Sequence, residues 1–128
     1  MIVTGLVLAA LAALVHVYVF VLESLVWTGP RARATFGTTA EEAATTRPLA
    51  FNQGFYNLFL AVEIGLGIVL VAAGQRAVGS TLVLVGAGSM VAAGLVLLLS
   101  DRSKTRAALV QLVLPLLAVV ALVAGLLA

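Results

Sequence analysis

Residues 49–74 read LAFNQGFYNLFLAVEIGLGIVLVAAG, with a single charged side chain, Glu63, in the whole stretch. About 20 such residues cross the roughly 30 Å hydrocarbon core of a bilayer, at about 1.5 Å of helix per residue. No ~10-residue alternation of apolar and polar positions runs through it, which excludes a membrane β-strand. Ile2–Trp27, Ala77–Ser100 and Ala107–Leu127 have the same character. The expected fold is an all-α membrane protein: one four-helix transmembrane bundle over residues 1–128, with helices about 2–27, 49–74, 77–100 and 107–127.

Composition agrees. Apolar residues make up 63% of the 128 positions and charged residues 9%, against about 25% charged in a typical soluble domain. A soluble chain of this size could not hide that much apolar surface. The pI near 9.7 rests on 7 basic residues with no basic stripe, so a nucleic-acid partner is not expected. The absence of cysteine excludes disulfides and thiolate chemistry. One histidine and two distant glutamates lack zinc-type spacing, so neither metal nor cofactor is expected. Gly65-x-Gly67 and Gly86-x-Gly88 lie inside apolar helices and read as packing, not as phosphate loops.

Charge sits in the connections. Loops one and three hold Arg31, Arg33, Arg47, Arg102, Lys104 and Arg106, whereas loop two holds only Arg76. The positive-inside bias therefore puts loops one and three in the cytoplasm and both termini outside, in a multi-pass protein of the cell membrane. The first stretch lacks a basic n-region and a cleavage site, and reads as a retained anchor. In the long first loop, Thr38 and Glu41 fit a capping box and Pro48 a stop, which predicts a short interfacial helix near Thr39–Thr46. Gly79, Gly86 and Ala93 recur every seven residues, a small-residue face for packing within the bundle or between copies in a homo-oligomer.

Ionisable groups inside a span are expensive and point to function. His16, Phe20, Glu23 and Trp27 share one face of the first helix. Asn52, Gln53, Tyr56, Asn57 and Glu63 fall within one arc of about 140° at about 100° per residue. In an antiparallel hairpin with Trp27 level with Asn52, Glu23 meets Tyr56 and His16 meets Glu63. Gln111 enters from the same end, one turn before the helix-kinking Pro115. The expected site is a polar cavity open toward the cytoplasm, lined by His16, Glu23, Asn52, Gln53, Tyr56, Asn57, Glu63 and Gln111. The plainer readings are a Glu23 paired with Arg31 or Arg33, amides acting as interhelical glue, and a Trp27 anchored at the interface.

The series His16-x6-Glu23-x3-Trp27, Phe36-Gly37, Asn52-Gln53-Gly54-x-Tyr56-Asn57-x-Phe59-Leu60-Ala61 and Gln111-x3-Pro115 resembles DUF1304, a family of small four-helix membrane proteins. The resemblance implies this fold and a shared polar site at His16, Glu23, Asn52, Gln53, Tyr56, Asn57 and Gln111. It does not extend to Glu63, where the family more often has a small residue. Nor does it cover Leu95–Leu99, where the family tends to carry a Tyr-Gly element. It carries no catalytic roles.

The residues fit several functions. A site for a small lipophilic or cationic molecule is the first reading. Proton-coupled transport, acid–base catalysis on a lipid-like substrate, and a non-catalytic assembly subunit are the alternatives. Whether the chain is an enzyme stays open at this point.

Overall fold

A computed structural model describes all residues, Met1–Ala128. Helix α1 (Ile2–Phe20) runs into a π-helical turn at Val21–Leu25, and α2 (Pro30–Phe36) is short. Helices α3 (Ala40–Ala72), α4 (Arg76–Ser100) and α5 (Thr105–Leu127) follow, with a 3-10 turn at Arg102–Lys104 before the last. Four helical segments are long and apolar enough to cross a membrane. In cross-section their order is α1, α3, α4, α5, with α5 closing the ring against α1 and α4 diagonal to α1.

Helices in lipid gain little from hydrophobic association, so close backbone approach and small side chains hold such a bundle together. The core follows that rule. Ala9, Ala12, Ile64, Val83, Ala87, Met90, Ala118 and Leu122 form its centre. One close crossing lies between α3 and α4: a Cβ added to Gly67 would stand 2.8 Å from the Gly79 carbonyl oxygen. Gly86 packs against Ile64 in the same seam, and Ala93 is exposed. Gly79 and Gly86 are thus packed within the bundle, against α3, the first of the two uses expected for this face.

The first loop departs most from expectation. No separate interfacial helix forms at Thr39–Thr46; that segment is the start of α3. The capping box is one residue later than predicted: Thr39 Oγ1 accepts from the Glu42 N–H at 3.1 Å, and the Thr39 N–H donates to Glu42 Oε2 at 2.8 Å. Pro48 does not stop the helix, because its ring faces the exposed side and the surrounding turns continue without its N–H. At about 1.5 Å per residue, the 33 residues of α3 measure about 50 Å, well beyond the ~30 Å hydrocarbon core. Gly29 caps the start of α2 after a turn at Val26–Gly29, with Pro30 in the first helical turn where a missing N–H costs nothing. Gly37 ends α2 in the left-handed region (φ 63°), a conformation glycine reaches without a Cβ penalty. That bend folds α2 back over the end of the bundle, with Ala32 fully buried beneath it.

Candidate functional site

The π-helical turn decides where the polar chemistry goes. Its widened backbone, seen in the Val26 N–H bond to the Val21 carbonyl at 3.1 Å, turns three consecutive residues toward the protein. Leu22 and Glu23 are both buried, and Ser24 Oγ donates to the Phe51 carbonyl of α3 at 2.8 Å. A regular α-helix would point one of these toward lipid, since successive side chains diverge by about 100°. Gly54 makes room for the turn: a Cβ there would come within 3.0 Å of the Ser24 backbone nitrogen and 3.1 Å of Glu23 Cβ.

Glu23 is 8% exposed and Asn57 6%. Asn57 Nδ2 donates to Glu23 Oε2 at 2.8 Å, and also to its own helix at the Gln53 carbonyl, 3.1 Å away. That is the one hydrogen bond Glu23 receives; the rest of its carboxyl borders open space. Glu23 lines a cavity of about 280 Å³ with Trp27, Thr38, Gln53, Lys104 and Gln111. A wider cavity of about 680 Å³ adjoins it, sharing Glu23, Trp27, Thr38, Gln53 and Lys104, and reaches Glu42 and Asp101. Thr38 Oγ1 is buried there without a hydrogen-bond partner.

The lid of this site is α2. Phe36 packs on Trp27 with ring centroids 5.2 Å apart, and Trp27 Nε1 donates to Thr46 Oγ1 at 3.1 Å. Trp27 is therefore tied into the protein and is not a free interface anchor. Lys104 reaches 68 residues back along the chain to donate to the Phe36 carbonyl, and makes a longer bond to the Gly37 carbonyl, 3.4 Å. Beside it Asp101 accepts from the Ser103 hydroxyl at 2.6 Å and the Ser103 N–H at 2.9 Å. Those two bonds, the hydroxyl's first, hold the Asp101 carboxyl below the usual aspartate range, and the Lys104 charge adds to the effect.

This geometry makes the family comparison specific. The chain matches the family described as "Protein of unknown function (DUF1304)" over residues 10–123. It belongs to that family. The matched span of this DUF1304 protein covers Glu23, Asn57, Lys104 and Gln111 alike. No curated protein and no solved structure matches the chain.

Among the residues singled out from the DUF1304 sequence, the structure brings Glu23, Gln53, Asn57 and Gln111 together. Asn52 is exposed and Tyr56 is 64% exposed, so neither reaches Glu23. The predicted partner at that level is one residue out: Asn57 stands where Tyr56 was expected. The His16/Glu63 pair is not formed. His16 is buried, with Nδ1 donating to the Ala12 carbonyl at 2.9 Å inside its own helix, while Glu63 is half-buried and makes no hydrogen bond. Ile64, fully buried, faces the core in its place. Nor does Arg31 pair with Glu23; its Nε donates to Tyr18 Oη at 2.7 Å on the other side of α1.

Sequence reasoning missed Lys104 and Thr38. Lys104 is the chain's only lysine, in a sequence whose other basic residues are all arginine. That exception was the available signal.

Proposed function

We propose that this protein binds a small molecule bearing a cationic or hydrogen-bond-donating group, at Glu23, in the cavity beneath α2. The observation that carries the reading is a buried carboxylate with one protein hydrogen bond on the wall of a cavity. A midspan or near-interface carboxylate is costly without a partner, and a ligand donor would supply what Asn57 leaves unmet. The lining supports a cation over an anion: Glu23, Glu42 and Asp101 border the wider cavity against the single ammonium of Lys104. Trp27 adds an aromatic face, a favourable surface for a quaternary or protonated amine. We further infer that loops one and three are cytoplasmic, so that the cavity opens on that side; the six-to-one distribution of basic residues between the loops supports this.

Trp27 is the only tryptophan and lines the cavity, so its fluorescence reports on the site directly. The test titrates benzyltrimethylammonium into the purified full-length protein in nanodiscs. A saturable change in Trp27 emission is expected for the wild type and for Glu63→Gln, and its loss for Glu23→Gln. An unchanged response in Glu23→Gln, or none in the wild type, overturns the reading.

A further inference from the structure

A second cavity at the same end of the bundle has the opposite electrostatic character. It lies between α1 and α5 under α2, occupies about 410 Å³, and has only Phe36, Ala107 and Gln111 in common with the smaller Glu23 cavity. Its charged lining residues are Arg31 and Arg106, and no carboxylate borders it. Arg31 is held in place rather than waving free: Nε donates to Tyr18 Oη at 2.7 Å, and the guanidinium carbon lies 5.5 Å from the Tyr18 ring centroid. This leaves the terminal nitrogens of Arg31 without a protein acceptor, and Arg106 makes no side-chain hydrogen bond at all. Deeper in, the walls are Val15, Val19, Leu22 and Val110. From Leu22 to Val15 the apolar wall extends about 10 Å along the helix, at about 1.5 Å per residue.

Two guanidinium groups at one mouth and an apolar channel below match the two halves of an anionic amphiphile. Arginine is suited to phosphate because its planar fork offers parallel N–H donors. A small soluble anion would use the mouth and leave the channel unexplained. A neutral lipid would use the channel and leave the two exposed arginines that line the cavity without a counter-charge. We propose that this cavity binds one anionic phospholipid, its phosphate between Arg31 and Arg106 and the upper part of one acyl chain along Val15, Val19 and Val110. The site is separate from Glu23 and does not depend on the reading of that residue.

The test uses purified full-length protein in phosphatidylcholine nanodiscs, with retained lipid read by native mass spectrometry. Dioctanoyl phosphatidylglycerol is compared with dioctanoyl phosphatidylcholine, and competition is attempted with glycerol 3-phosphate and inorganic phosphate. Each arginine near a membrane surface contributes on the order of a few-fold to anionic-lipid binding, so the wild type should prefer the phosphatidylglycerol by about tenfold. Arg31→Gln with Arg106→Gln should abolish that preference. Arg47→Gln with Arg102→Gln removes the same charge away from the cavity and should keep it. Val110→Trp, at a side chain already 56% exposed, fills the channel with both arginines intact and should also weaken retention. Equal loss in both arginine pairs would reduce the effect to a diffuse basic surface and overturn the proposal. So would an absence of preference in the wild type, full retention in Val110→Trp, or displacement by glycerol 3-phosphate or inorganic phosphate.

Discussion

The Glu23–Asn57 bond joins the π-helical turn after α1 to α3 through two buried side chains 34 residues apart, 2.8 Å between nitrogen and oxygen. Its removal should therefore be felt as a coupling between the two positions. Interhelical side-chain bonds in membranes average about 0.6 kcal/mol, with a maximum near ~1.7. Bonds to a charged group run to about 1.5–3 kcal/mol in proteins generally. A coupling of about 1–2 kcal/mol follows for an ionised Glu23, roughly fivefold to thirtyfold in the folding equilibrium. Asn57→Ala also loses the bond to the Gln53 carbonyl, but that loss is common to both backgrounds and cancels in a double-mutant cycle. The measurement is reversible unfolding in mixed dodecylmaltoside–SDS micelles, followed by helical ellipticity, for Asn57→Ala, Glu23→Leu and the double variant. Glu23→Gln in place of Glu23→Leu keeps an acceptor oxygen, so that cycle should report only the excess of the charged bond over a neutral one of about 0.6 kcal/mol, roughly 0.4–1.4 kcal/mol. Additivity within about 0.3 kcal/mol would mean that the two side chains do not interact and would refute the reasoning.

Gly67→Ala drives a methyl to 2.8 Å from the Gly79 carbonyl and 3.0 Å from the Val83 nitrogen, so it should cost about 1–3 kcal/mol in the same assay. Gly65→Ala meets nothing within 4 Å and should gain up to about 1 kcal/mol from helix propensity; a reversed order would contradict the α3–α4 crossing. Asp101 is held below its ordinary range by Ser103, so its cap is fully present above the unfolded aspartate pKa, about 3.9. The cap weakens as pH falls from there through the lowered folded value. Amide exchange at Ser103 should therefore rise, relative to Asp101→Asn, only on acidification below about pH 4; loss of protection near neutrality would argue against it. Cysteine in place of Arg76 should react with an impermeant reagent on intact cells, and cysteine in place of Arg33 or Lys104 should not; the opposite pattern would invert the inferred topology.

The four spans were legible because runs of apolar residues need no tertiary context to be read. The site was legible only by element. Helical advance places Asn52, Gln53, Tyr56, Asn57 and Glu63 on one arc centred at about 70°, counting from Asn52. The buried residues Ala50, Gly54, Asn57, Ala61 and Ile64 centre at about 160°, so the helix turns its polar arc only edge-on to the bundle. Asn57 lies on the shared edge and enters the site; Tyr56 and Glu63 do not. The better signal was the spacing of small residues at Ala50, Gly54, Asn57 and Ala61, because lipid tolerates an exposed tyrosine, whereas close helix packing does not tolerate a bulky seam. The π-helical turn at Glu23 had no proline or glycine to announce it. It arises from Ser24 bonding to the Phe51 carbonyl and from the room left by Gly54, both contacts across the hairpin.

Helix α3 runs unbroken from its cap at Thr39 to Ala72 and packs closely on α4 at Gly67. Mechanically it is a lever with an off-centre fulcrum. Thr46, the residue that holds Trp27, stands 21 positions from Gly67, about 31 Å along the rod. A tilt of about 5° at the fulcrum would sweep Thr46 through about 3 Å, more than a hydrogen bond can stretch. The Ser24–Phe51 and Glu23–Asn57 bonds lie between the two points and would have to take up such a tilt, so side chains beside the second loop are coupled to the room beside Glu23.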